Sequence, residues 1–398
     1  MRSRNPSLRA NPGGGLTPSE VIGRDPFISS MWRTLERQSV LLGAERRMGK
    51  TSVMSKMLAE PAPGVCAIKR SLQGITSPDE FVRHLLADTE RACPGLLKRT
   101  LGTWLQDVGV KRIGVSAVSV EFKPTGDQSW KDVADRTLAV LHDEVDDAIV
   151  FLWDEFPHMV ANLRDNRTPL VARELLDQLR AWRETYPTVR MVLSGSLGLH
   201  HVIDGLRAKG GMWAPTHDMN GMDLPPLDDD DASYLAGELL RNERIACDDL
   251  DRVADLIARE VDGAPYYIHH TVHGLQERQS TGRIGTVDLN VVRLIVDEAL
   301  NDPLDPWQLQ HYVDRVGSYY GDDADFVKAL LDVIAAAPDP STLETVATRI
   351  GAHLRPPPQE RLRDLLVLLC KDYYLGAGPT YRFRLNLVRR IWLARRPC

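Results

Sequence analysis

Three residues of complementary chemistry stand together at Gly49-Lys50-Thr51, near the end of the run Ser39-Val-Leu-Leu-Gly-Ala-Glu-Arg-Arg-Met-Gly-Lys-Thr-Ser52. The run begins apolar, passes through a turn and enters a helical pattern, so the expected context is strand, loop and helix start. Such a loop turns successive backbone N–H groups and a helix N-terminus toward an anion. Here Ala44, Glu45, Arg46, Arg47, Met48 and Gly49 would wrap a phosphate and Lys50 would neutralise its outer neighbours. Thr51, followed by Ser52, would offer a hydroxyl to Mg2+. The plain alternative is a solvated helix start.

A second run, Ala148-Ile-Val-Phe-Leu-Trp-Asp154-Glu155, delivers two carboxylates at the end of an apolar strand. Open α/β sheets collect their ligands at the carboxyl ends of strands. Asp154 is suited there to hold Mg2+ through water, and Glu155 to orient and deprotonate an attacking water, the division of labour that phosphoryl transfer to water requires. The competing reading is a strand-end pair that caps a neighbouring helix. A third run, Val189-Arg-Met-Val-Leu-Ser194, continues into Gly195-Ser196. Ser194 and Ser196 are candidates to bond a terminal phosphate or the lytic water, and turn formation explains them equally well. One position departs from the strict pattern GxxxxGK[ST]: alanine stands at 44, with Gly43 one place early. Alanine tolerates most turn geometries with negative φ, so binding is expected to survive unless the loop demands a left-handed residue at that point.

Such groups need a rigid frame. From Val21 to about residue 222, short apolar runs alternate with longer helical patterns, the rhythm of a parallel sheet with helices on its faces. Strands are expected at Ser39–Leu42, Val65–Ile68, Ala148–Trp153 and Val189–Ser194. Helices are expected at Lys50–Ala59, Pro78–Ala92, Trp130–Leu141 and Pro169–Thr185. The segment 112–124 mostly alternates every second residue and reads as an inserted strand pair. Residues 1–19, with Asn11-Pro-Gly-Gly-Gly15, read as a mobile leader. Residues 225–300 read as helical throughout, with a break at Gly263-Ala-Pro265. Residues 301–398 read as helices near Asp325–Ala337, Thr342–Ile350 and Gln359–Asp372, then strand-like Tyr373–Leu375 and Tyr381–Phe383, an order that resembles a winged helix. The expected fold is α/β: a P-loop core over 20–224 on a parallel sheet, a helical lid over 225–300 and a winged-helix domain over 301–398.

Composition narrows the classes. With 398 residues, 43% hydrophobic and 26% charged, the chain reads as globular, and its length suggests two or three domains. A net charge of -6 gives no overall attraction to nucleic acid or anionic membrane. The five cysteines are scattered without CxxC spacing, which argues against a disulfide framework and a zinc site and fits a reducing cytoplasm. The sequence offers no membrane-spanning run and no export signal, so no membrane partner is expected.

Taken together, these motifs resemble those of bacterial and archaeal AAA+ ATPases of the origin-recognition-like branch and of STAND switch NTPases, over roughly residues 20–396. The two apolar runs match their Walker A and Walker B motifs. Val21-Ile-Gly-Arg-Asp25 is similar to their hhGR[DE] motif, which implies that Gly23 and Arg24 lie beside adenine. Gly263-Ala-Pro265 is similar to the GxP motif, which implies that Pro265 packs on the base, although a bare helix break would look the same. The resemblance implies ATP or ADP with Mg2+ as ligands and an ATPase activity. It also implies a homo-oligomer or protein partner, with Arg180, Arg183 and Arg190 available as an arginine finger; each could equally be a surface salt-bridge residue. Three functions follow as expectations: a slowly hydrolysing switch that moves a winged helix, a DNA-associated ATPase of mobile-element, replication or defence type, and a nucleotide-binding interaction module without turnover. For the second, the stretch 341–398 carries eleven basic residues against four acidic, and Arg382 and Arg384 would touch duplex phosphates. The same arginines could instead cover a packed terminal element with their stems.

Overall fold

Five short strands form one sheet: β1 Val40–Gly43, β2 Val65–Ser71, β3 Ala148–Asp154, β4 Val189–Ser194 and β5 Asn220–Asp223. The computed structural model describes residues 8–107, 130–195, 198–207, 213–352 and 358–396, and the inserted strand pair expected at 112–124 lies outside them. Every pairing in the sheet is parallel, in the order β2-β3-β4-β1-β5. Parallel strands are covered on both faces and therefore read as continuous apolar runs. In β3 every residue from Ile149 to Asp154 is buried. The edge strand β5, Asn-Gly-Met-Asp, has neither an apolar run nor alternation, and its pairing with β1 is what makes it a strand. Register pairs Leu42 with Ser194 and Trp153 with Leu193, so β1, β3 and β4 end along one edge.

The helices that cover the sheet follow from capping and periodicity. Pro169–Thr185 begins where the Thr168 hydroxyl accepts the Val171 N–H, has proline in its first turn, and buries Ala172, Leu175, Leu176, Leu179 and Trp182. Pro78–Ala92 begins in the same way, with Ser77 accepting from Glu80 N–H at 3.2 Å. Lys50–Ala59 and Trp130–Glu144 complete the expected set, the latter running one turn further than its apolar pattern. Four more helices, Asp25–Leu35, Leu96–Asp107, Phe156–Asn166 and Leu199–Leu206, belong to this half of the chain. Phe81 packs edge-on against Trp153 at 5.2 Å in a core shared by the sheet and these helices.

The chain forms two compact units. One comprises Arg24–Gly43 and Lys50–Leu224; the other comprises the chain up to Gly23, Ala44–Gly49 and the chain from Pro225 onward. The second is helical, with Asp229–Asn242, Leu250–Glu260, Pro265–Ser280, Leu289–Asn301, His311–Tyr320 and Ala324–Ala336 in succession. Then come Leu343–Gly351, Gln359–Lys371 and the terminal helix Asn386–Arg395. Between the last two, Leu375 and Phe383 form an antiparallel bridge, and Ser341 bridges Tyr381.

The reading of residues 1–19 as a mobile leader is corrected for its described part. Leu8 is fully buried, its carbonyl accepts from Asn242 at 3.0 Å, and Ala10 N–H donates to Glu243 at 2.9 Å. Asn11 N–H donates to His269 Nδ1 at 3.1 Å. Glycine-rich composition signalled freedom, but one apolar anchor and three hydrogen bonds to helices more than 200 residues away hold the segment. Among the described residues no helix is long and apolar enough to cross a membrane.

Candidate functional site

The loop after β1 passes through left-handed backbone at two positions. Arg47 and Gly49 are left-handed, with φ of 74° and 92°, and alternation of left- with right-handed residues turns consecutive N–H groups to one side. A Cβ built on Gly49 meets nothing within 4 Å, so glycine serves that position for its φ and not to relieve crowding. Ala44 is not left-handed, which removes the doubt raised by the missing glycine: the conformation the loop demands falls at 47 and 49. Met48 is buried, Arg46 is exposed, and Lys50, Thr51 and Ser52 open the following helix.

Within the sheet unit, the Thr51 hydroxyl donates to Asp154 Oδ2 at 2.7 Å. Asp154 is 6% exposed, and its other oxygen accepts the Glu155 N–H at 3.0 Å. Both partners are neutral, so neither of these two bonds sets a cation against the carboxylate. Adjacent oxygen ligands of Mg2+ stand roughly 3 Å apart, and a hydroxyl and a carboxylate oxygen at 2.7 Å fit that pattern.

Glu155 is also left-handed, with φ 54°, and sits at the N-cap of Phe156–Asn166 without making a side-chain cap bond, which removes the capping explanation for its carboxylate. It lies 3.6 Å from His158 Nε2. A Cβ on Gly195 would stand 2.4 Å from the Pro157 ring and 3.5 Å from Glu155 Oε2, so the end of β4 comes directly beneath this carboxylate. Ser194 is buried there at 2% exposure, and its hydroxyl has no partner among the described residues. Ser196 lies outside the described residues.

Sequence reasoning missed Lys69. Its ammonium donates to Ser55 Oγ at 2.6 Å and reaches the Thr51 carbonyl at 3.4 Å, one turn from the hydroxyl that holds Asp154. Burial lowers its pKa, and the charge of Asp154 opposes that shift. The available signal was the pair Lys69-Arg70 inside a strand; Arg70 itself is held by Asp88, with one bond at 2.6 Å.

Within the helical unit, two side chains of the loop are anchored. Glu45, 4% exposed, accepts from Arg315 Nη1 at 2.9 Å. Arg315 also donates to the Tyr374 hydroxyl at 2.7 Å and to the Asp372 carbonyl at 3.2 Å, and it lies 4.1 Å from the Tyr374 ring centre. Arg47 donates to Gln308, and its guanidinium lies 4.1 Å from the ring centre of Tyr266. A left-handed non-glycine residue costs roughly 1 kcal/mol, and a cation–π contact of comparable size offsets it. Gly23, with φ 71°, lies against Asp231, where any Cβ would stand 2.5 Å from the carboxylate. Arg24 is buried. Gly263 is held by backbone: a Cβ would meet the Leu227 carbonyl at 2.4 Å, and Pro265 opens its helix.

The three arginines considered for a finger have different surroundings. Arg183 is buried and paired with Asp218 at 2.7 Å, Arg190 donates to the Leu35 carbonyl at 3.1 Å, and Arg180 pairs with Glu184 one helical turn on. The basic tail also divides. Arg390 pairs with Glu260 and Asp297, Arg395 with Asp305, Arg396 with Asp332, and Arg361 with Asp323. Arg349, Arg363, Lys371, Arg382 and Arg384 are exposed, and Arg384 stacks on Tyr373.

No family pattern and no curated relative matches the sequence, but solved structures do. A Walker-type ATPase of Pyrococcus abyssi aligns over 96% of this chain and 99% of its own, with a TM-score of 0.64 at 15% identity. The ORC2 protein of Aeropyrum pernix, solved in ADPNP–ADP complexes, aligns over 97% of each chain with a TM-score of 0.51 at 13% identity. The chain thus has the α/β P-loop NTPase fold, with an all-parallel sheet followed by a helical C-terminal portion.

Proposed function

We propose that the chain binds ATP with Mg2+ and hydrolyses it slowly, as a switch that couples nucleotide state to movement of its C-terminal domain. The observation that carries this reading is the 2.7 Å bond between Thr51 Oγ and Asp154 Oδ2, at the start of a helix entered through left-handed Arg47 and Gly49. In this reading, backbone N–H groups from Glu45 to Gly49 surround the phosphates and Lys50 neutralises their outer charge. Thr51 and Asp154 hold the cation, which when bound offsets phosphate charge. Glu155 takes a proton from the attacking water, and the buried hydroxyl of Ser194 positions that water or a phosphate oxygen. Gly23, Arg24 and Pro265 belong to the adenine side by resemblance. The proposed division is a core over 20–224, a lid over 225–300 and a winged helix over 301–398; the Ser341–Tyr381 and Leu375–Phe383 bridges around two helices support the last.

The test is nucleotide binding and turnover on the purified chain. Lys50→Ala should weaken ATP binding by about a hundredfold, and Glu155→Gln should keep binding while turnover falls by about the same factor. A wild-type chain with no affinity for either ATP or ADP would end the proposal.

A second reading, association with duplex DNA, is favoured by one observation. Among the described residues, the exposed basic side chains of the tail lie between Arg349 and Arg384, on two helices and a hairpin. Salt-sensitive duplex binding that is lost in the variant carrying Arg382→Ala and Arg384→Ala supports it. Equal binding by that variant argues against this surface.

A further inference from the structure

The six residues from Ala44 to Gly49 connect β1 to the Lys50 helix, yet the side chains of Glu45 and Arg47 are held by residues from the distant C-terminal half of the sequence. Glu45 reaches a residue 270 positions on, and Arg47 one 261 positions on. Arg315 is the centre of the first anchor. It sits on the helix His311–Tyr320 and is clamped between the Tyr374 hydroxyl, the Asp372 carbonyl and Glu45. Asp372 is fixed in turn, its carboxylate accepting from the Tyr320 hydroxyl at 2.6 Å. Glu45 Oε1 accepts from the Arg46 N–H as well, at 3.0 Å, so the ion pair grips the loop backbone one residue before left-handed Arg47.

A turn that needed only its own covalent geometry would not require a buried carboxylate. Burying an ion pair carries a large desolvation penalty, so such a pair is weak evidence of stabilisation and better explained by the geometry it fixes. We propose that Arg315 is a positioning residue of the phosphate loop: by gripping Glu45 it fixes the loop backbone and sets the affinity for the polyphosphate. The inference rests on the nucleotide-binding reading above and deepens it, because it names the element through which a change in the C-terminal half would alter binding. Arg315 touches no phosphate in this scheme; it acts through Glu45.

Two readouts test it on the full chain: affinity for the probe Mg·ATPγS, and trypsin cleavage after Arg46 or Arg47 without nucleotide. Arg315→Met should bind about tenfold more weakly and be cut faster in the loop, since coupled contacts of this kind are worth about a tenfold change. Glu45→Gln, a smaller change that keeps the side-chain shape, should shift both readouts in the same direction and carries the test if Arg315→Met does not fold. The double variant should be no weaker than Arg315→Met alone. Arg241→Met breaks a different pair in the same unit, with Glu238 at 3.0 Å, and should lower the melting temperature without changing affinity. Unchanged affinity in Arg315→Met and Glu45→Gln overturns the inference, even if cleavage quickens. A wild type that binds no nucleotide while Arg315→Met is cut faster would keep the anchor and remove the ligand reading.

Discussion

Asp154, at the end of β3, and Glu45, in the loop after β1, are both buried carboxylates, and their partners differ in kind. Asp154 is held by a hydroxyl and a backbone N–H, both neutral, whereas Glu45 faces a guanidinium. A carboxylate bonded only by neutral donors retains its attraction for an incoming cation, and one neutralised by arginine does not. Burial alone therefore does not distinguish the two carboxylates; the charge of the hydrogen-bond partner does.

Removing Asp154 should have the largest effect. Asp154→Ala is expected to weaken ATP binding by up to about a hundredfold in Mg2+ and very little in EDTA, the range typical of a carboxylate that holds a cation through water. An equal loss in EDTA would assign Asp154 to the fold and erase the contrast with Glu45.

Acid should separate the two units next. His269 is buried in the helical unit, and burial pushes its pKa down to about 4 from 6.5, opposed by the charge of Glu20. Its Nδ1 accepts a hydrogen bond from Asn11, which needs the neutral ring. The folded state thus binds fewer protons than the unfolded state between these values. The stabilisation is present above pH 6.5 and is lost as pH falls toward 4. His269 alone should remove about 2 kcal/mol between pH 7 and 5. Hydrogen exchange in the helix Pro265–Ser280 would follow this, and His269→Gln should flatten the slope. An equally steep slope in that variant would place the acid sensitivity elsewhere.

The smallest effect concerns the alanine that breaks the motif. Since Ala44 is not left-handed, Ala44→Gly should change turnover by less than about twofold and slightly destabilise the chain through backbone entropy. A marked rise in turnover would mean that the loop needs a backbone shape at 44 that only glycine reaches.

These contrasts also separate what was legible in the sequence. The strands β1 to β4 announced themselves as apolar runs, and the ends of β1 and β3 carried the motifs. β5 did not, because a four-residue edge strand is defined by its neighbour. Asp154 was singled out by its place after an apolar strand, a local signal. Arg315 was not, since its contact with Glu45 joins residues 270 positions apart, and Lys69 left only the weak signal of a charged pair inside a strand. The GxP and hhGR motifs are intermediate: Gly23 and Gly263 have clear packing reasons for being glycine, which account for these positions without any base beside them.

One practical consequence follows from the buried Leu8 and from Asn11 on His269. A shortened chain that starts near residue 20, the natural choice for anyone trimming a glycine-rich end, would strip the cover from an imidazole and remove one hydrogen bond each from Asn242 and Glu243. Impaired behaviour of such a truncation would reflect damage to a helical scaffold, and a purification tag joined close to Leu8 would carry a similar hazard.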